Sequence, residues 1–271
     1  MTDRNRTSPF AFTGNKFEFR AQGSSANIAL ANTALNAITA ESFDYMATQL
    51  EKAVKEGKDF NAALGDLLKK TLGEHKRICF DGNNYAAEWH TEAEKRGLRN
   101  SKNSPEALKA WTEPATIELF KKYGVLDERE SHSRAEICYE RYNKVLNIEA
   151  YMTLEMGRNM ILPAGLKYQR SIADTLNASK SAAPKGDYKA QEGSIEKVAA
   201  LNSGLIGKLD ALQDAVSKAV GASSVHEAAG SYLNNVIPAM QAVRDVADQL
   251  ELVVDDGEWP LPKYREMLFI Y

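Results

Sequence analysis

The sequence predicts a mainly α protein, a helical bundle with a long C-terminal helical hairpin, preceded by one or two strands. Three observations carry this. Val198, Asn202, Leu205, Leu209, Leu212, Val216 and Ala219 run in alternating steps of four and three, with Asn202 the one polar interruption. Ala229, Leu233, Val236, Met240, Val243, Ala247, Leu250 and Val254 repeat the pattern, and "GASS" at 221–224 is short enough to make the two helices antiparallel neighbours. Only residues 10–22 alternate in strand fashion, with Lys16, Glu18 and Arg20 on one face and Phe17 and Phe19 on the other. The hairpin spacing suits a coiled coil and a pair of ordinary bundle helices equally.

Taken in order, "GSS" at 23–25 turns the chain out of the strand, and Ser24 or Ser25 caps a helix. From Ala26 to about Lys55, Ile28, Ala31, Leu35, Ile38, Met46, Leu50 and Val54 broadly follow helical spacing, and Gly57 ends the run. A second helix covers about Asp59 to Glu74, and "FDGNNY" at 80–85 is a turn cluster. A short charged helix then stops at Gly97, Pro105 begins another short piece, and a helix from Pro114 ends at Gly124. The long helical stretch that follows contains Pro163, which should kink or break it. "NASKSAAPKGDYKAQEGS" at 177–194 reads as a flexible connection. Pro238 should kink the last hairpin helix, and the aromatic tail "EWPLPKYREMLFIY" should dock back on the body.

Bulk composition excludes several function classes. The 271 residues are 44% hydrophobic and 26% charged, as in ordinary soluble domains. A net charge of −3, with Lys and Arg scattered among Asp and Glu, argues against a nucleic-acid partner. Cys79 and Cys138 stand far apart and suit a reducing compartment. "MTDRNRTSPF" is no secretory signal, and no stretch approaches the ~20 apolar residues of a membrane span, so a cytoplasmic location and no membrane partner are expected.

Chemistry-bearing residues gather near the N-terminus. "RNRTS" at 4–8 places Arg4 and Arg6 two apart, and "NKFEFR" adds Lys16, Glu18 and Arg20. A carboxylate among cations suits a phosphate-and-metal site: the carboxylate holds a hard divalent cation, and guanidinium forks take phosphoryl or carboxylate oxygens. An exposed edge strand with alternating charges gives the same pattern. His90 and Glu94, with Glu88 and Glu92 nearby, fit a metal pair or a solvated helix face; His132, with Arg134 and Glu136, fits surface ion pairs or a subunit contact.

"DRNRTSPFAFTGNKFEFRAQGSS" resembles the last catalytic strands of the glutamine synthetases, and more narrowly of the type III enzymes. "HKRICFDGNNYAAEWHTEAEKRGL" at 75–98, "LFKKYGVLDERESHSRAEICYERYNKVLNIEA" at 119–150, "MILPAGLKYQ" at 160–169 and "VVDDGEWPLPKYREMLFI" at 253–270 resemble the same family. The resemblance implies an ATP-dependent ligase that makes glutamine from glutamate and ammonia through γ-glutamyl phosphate, aided by Mg²⁺ or Mn²⁺. It implies that Glu18 binds a metal beside the nucleotide phosphates. Arg20 would hold the transferring phosphoryl group and the substrate carboxylate, with Arg6 also near the phosphate. Lys16 takes the place of an ATP-phosphate arginine, keeping the charge and losing the fork. Ala11 falls roughly where classical members carry a further nucleotide-binding arginine, and that role does not carry over to it.

By the same resemblance, residues 1–75 are the end of a catalytic domain whose β-barrel the opening strands would complete. Residues 76–271 are a type III C-terminal helical domain, with the hairpin at 195–254 and a docking tail at 255–271. Family members form homo-oligomers, usually double-ring dodecamers. The small β-domain and most metal-binding residues of the family lie upstream of the matching strand, so the chain is expected to be a C-terminal portion, inactive by itself. The alternative is a non-catalytic helical module for oligomerisation or interaction.

Overall fold

The computed structural model describes residues 10–12, 16–19, 26–80, 83 and 86–268. The chain divides into two compact units, residues 1–133 and 134–271.

The first unit opens with a hairpin rather than one strand over 10–22. Strands β1 (Phe10–Phe12) and β2 (Phe17–Phe19) pair antiparallel, with Phe10 opposite Phe19, Ala11 opposite Glu18 and Phe12 opposite Phe17. Helix α1 (Ala29–Lys55) begins later than expected; its first amide donates to Asn27 Oδ1 at 2.8 Å. Ser24 and Ser25 lie outside the described residues. Helix α2 (Phe60–His75) is capped by Asp59, whose Oδ2 accepts from the Ala62 amide at 3.0 Å. Helices α3 (Ala87–Lys95), α4 (Ser104–Leu108) and α5 (Pro114–Lys122) follow. The glycines expected to end helices, Gly57, Gly97 and Gly124, are the described residues with positive φ (88°, 69° and 62°).

This unit buries little apolar surface. Helix α1 packs against α2 and α5, yet of its side chains only Ala37 is fully buried, and Ile38, Phe43 and Val54 are exposed. The broad helical spacing of α1 therefore marks a helix without a closed core beneath it.

The second unit holds the main core. Helix α6 (Glu128–Met156), which starts in the first unit, opens with a reciprocal cap: the Glu130 amide donates to Asp127 Oδ1 at 2.7 Å and the Asp127 amide to Glu130 Oε2 at 2.8 Å. Pro163 does not break the chain's helical course. One turn of π-helix (Gly157–Ile161) leads directly into α7 (Leu162–Ala182), with Pro163 in its first turn, where a missing N–H is tolerated. The same device recurs at Pro238. Helix α9 (Val225–Ser231) passes through a π turn (Tyr232–Val236) into α10 (Ile237–Glu251), with Pro238 again in the first turn. In both places a widened turn, not a loop, absorbs the proline.

Between α7 and α8 (Lys189–Val220), the connection expected at 177–194 shrinks to residues 183–188. The Tyr188 hydroxyl folds back within 2.8 Å of the Ser179 carbonyl oxygen and 2.7 Å of that of Ala183, and Lys180 pairs with Glu192. Small and polar residues here build a pinned turn. A Cβ at Gly186 would come within 2.7 Å of the Tyr188 ring, so the glycine leaves room for it.

Helix α8 buries Val198, Asn202, Leu205, Leu209, Leu212, Val216 and Ala219, the residues its spacing singles out. It packs against both α7 and α10, so the hairpin is part of a bundle rather than a free-standing coiled coil. Ser224 caps α9, accepting from the Glu227 amide at 3.1 Å, while the Glu227 carboxylate accepts from Ser223. Trp259 and Leu261 of the tail dock on the core; α11 (Tyr264–Met267) and Leu268 follow, with Met267 and Leu268 exposed. Among the described residues, no helix is long and apolar enough to cross a membrane.

Candidate functional site

The hairpin β1–β2 carries what the structure describes of the N-terminal charge cluster. Glu18 is half-buried in β2, on the opposite face from Phe17, which is exposed. Lys16 is exposed in the bend that enters the strand. The register puts Ala11 directly across from Glu18. Arg6 and Arg20 lie outside the described residues. Glu18 and Lys16 thus stand on one hairpin.

A single carboxylate supplies one or two oxygens, whereas Mg²⁺ takes about six. Among the described residues no group of three or more His, Cys, Asp or Glu side chains could hold a metal ion. The described donors therefore do not fit a complete metal centre by themselves.

Two constellations escaped sequence reasoning. The first joins α1 to α5. Lys122 Nζ lies 2.7 Å from Glu41 Oε2 and 2.8 Å from Asp44 Oδ2, and the Tyr123 hydroxyl donates to the same pair from 2.7 and 3.0 Å. Glu41 and Asp44 stand one turn apart on α1 and so present both carboxylates together. The hydrogen bond from Lys122 holds both carboxyls below the usual carboxylate range, with Tyr123 helping. The two carboxylates in turn push the Lys122 ammonium up, Asp44 most strongly, while desolvation and then Glu41 raise the Tyr123 phenol.

Carboxylates with folded pKa values below their unfolded ones add stability above the unfolded range, and that stability is lost as pH falls through the folded values. The raised Lys122 loses its contribution only in strong alkali. Short of strong alkali, the α1–α5 junction should therefore loosen on the acid side, below about pH 4. Melting temperature followed from pH 7 to pH 3 checks this: Lys122→Met should flatten part of the acid decline, and an unchanged slope would remove the cluster from the explanation.

The second constellation closes the segment 77–96. Arg96 Nη1 donates to the carbonyl oxygens of Cys79 at 2.9 Å and Arg77 at 3.3 Å, and Nε to Glu92 Oε1 at 2.8 Å. Its guanidinium lies 5.4 Å from the Trp89 ring centroid, and Phe80 stacks on Trp89 at 3.9 Å. Only arginine offers such a fork with a stacking plane. His90 and Glu94 are exposed on this helix, and Glu92 serves Arg96. Glu136 faces His226 at 3.6 Å, and the His226 ring lies 4.3 Å from that of Tyr139.

Residues 63–180 match the family model described as the glutamine synthetase C-terminal domain. The chain as a whole is similar to a C-terminal portion of glutamine synthetases. It is 37% identical to the type-3 glutamine synthetase of Dictyostelium discoideum over 99% of its own length, and 35% identical to a glutamine synthetase of Bacteroides fragilis, also over 99%. A glutamine synthetase of Butyrivibrio fibrisolvens is 35% identical over 99% of the chain. The chain spans 37–38% of the length of these relatives.

Proposed function

We propose that this chain is the C-terminal part of a type III glutamine synthetase and works only together with the remaining part of such an enzyme. The observation that carries the reading is the 37% identity to a type-3 glutamine synthetase across 99% of the chain. The hairpin geometry supports it, since Glu18 and Lys16 come from one short β unit. In the complete enzyme Glu18 is one carboxylate ligand of a Mg²⁺ or Mn²⁺ ion, which neutralises phosphate charge when bound. Lys16 faces the ATP phosphates, and Arg20 and Arg6 hold the transferring phosphoryl group. Phosphoryl transfer depends mostly on positioning and charge stabilisation, which suits this residue set. The substrates are glutamate, ammonia and ATP, and the complete protein forms a homo-oligomeric double ring.

The test is a chimera in which this chain replaces the matching part of the Dictyostelium discoideum relative, assayed for glutamine with ATP, Mn²⁺, glutamate and ammonium. The chimera should be active, and Glu18→Gln should lower kcat by about 100-fold or more with the melting temperature unchanged. A Glu18→Gln chimera as active as its parent would overturn the assignment. Should the full exchange not assemble, exchanging residues 1–25 alone allows the same comparison.

A further inference from the structure

Helix α6 has apolar side chains on both of its faces. Ala135, Tyr139, Leu146, Ala150 and Leu154 are buried. Opposite them, Ile137, Val145, Ile148 and Met152 form a second stripe, 46–63% exposed, flanked by Tyr151 at 48%. Steps of eight, three and four residues keep 137, 145, 148 and 152 on one side of a helix, over roughly 22 Å at about 1.5 Å per residue. A row of large apolar side chains along one exposed helix face marks an interaction surface. The seam of the C-terminal hairpin cannot fill that role, because its residues are buried inside the bundle.

The charges along α6 select the occupant. Exposed cations, Arg134, Arg141 and Lys144, precede the centre of the stripe, with Glu136 and with Glu140, which pairs with Lys144 at 3.3 Å, among them; exposed carboxylates, Glu149 and Glu155, follow it, ahead of Arg158. Rotated about a two-fold axis through Ile148, the helix meets its own image antiparallel. Arg141 then stands opposite Glu155, Val145 opposite Tyr151 and Lys144 beside Met152, with Ile148 against itself. A parallel pair would set Arg141 on Arg141 and Glu155 on Glu155, which is repulsive. We propose that the outer face of α6 is an isologous interface, taken by the α6 of a second copy of this chain in antiparallel register centred on Ile148.

One helix pair is a small interface, in the weak class below about 1,200 Å². Sedimentation equilibrium of the 271-residue chain over about 1–100 µM is therefore the measurement, covering the range of weak association. A monomer–dimer equilibrium is expected. Arg141→Glu should weaken it about tenfold, and Arg141→Glu with Glu155→Arg should bring it back, as a charge pair across the two-fold requires. Ile148→Glu should abolish it with the circular dichroism unchanged, because residue 148 faces solvent in the monomer. A strictly monomeric chain at 100 µM would overturn the proposal and leave the stripe to another part of a longer protein. A dimer indifferent to Ile148→Glu would overturn it in favour of a different face.

Discussion

Leu212→Ala should cost about 3–5 kcal/mol of stability in the helical unit, the range for a large buried aliphatic residue that leaves a cavity. Leu212 is fully buried on α8, on the face that packs into the core with α7 and α10. The seam is shared by several helices, so collapse into the vacated space relieves little of the loss. Ile206 lies on the same helix but is 44% exposed, and Ile206→Ala should cost less than about 1 kcal/mol. Urea titration reports the difference, read from Trp259, which sits in this core, in a background where Trp89 and Trp111 are phenylalanine. That choice keeps the less well-packed first unit out of the signal, since a chain of two units need not unfold in one step. Equal losses for the two variants would mean that α8 is not the centre of the bundle.

The contrast between the units explains how much was legible in the sequence. In α8 every position chosen by the four-three spacing is buried, because one face of a regular helix packs into the core along its whole length and translates its period directly into burial. In the partner helix the same spacing names Leu233, whereas the structure buries Tyr232. The π turn at Tyr232–Val236 adds a residue to the turn and shifts the face, and a strict heptad count cannot anticipate that. The glycine stops at 57, 97 and 124 were readable because each is a local backbone requirement. The Glu41–Asp44–Lys122–Tyr123 cluster was not, since it joins residues about eighty positions apart and leaves no periodic trace. Of the candidate site, the strand character and the pairing of charges with Phe17 were legible. The hairpin register that sets Ala11 opposite Glu18 depends on a turn that alternation alone does not locate.

Gly165→Ala, normally a stabilising change inside a helix by about 1 kcal/mol, should here destabilise by about 2–3 kcal/mol. A Cβ at position 165 of α7 would clash with Asn202 Oδ1, the polar interruption in the α8 seam. Asn202 is 2% exposed, its Nδ2 donates to Gln169 Oε1 at 2.9 Å, and its Oδ1 is buried against the glycine. An alanine forces one of two losses. Either α7 and α8 separate and forfeit packing along the seam, or the amide turns away and leaves Gln169 without its donor. Gly207 on α8 has nothing within 4 Å of its would-be Cβ, and Gly207→Ala should raise the melting temperature. Opposite signs for the same substitution on neighbouring helices are the diagnostic result. Removing the obstruction should also undo part of the damage, so Gly165→Ala combined with Asn202→Ala should cost less than the two singles added. Additive losses would mean that Gly165 and Asn202 act separately. A stabilising Gly165→Ala would mean that the close approach of α7 and α8 is not where the bundle keeps its register.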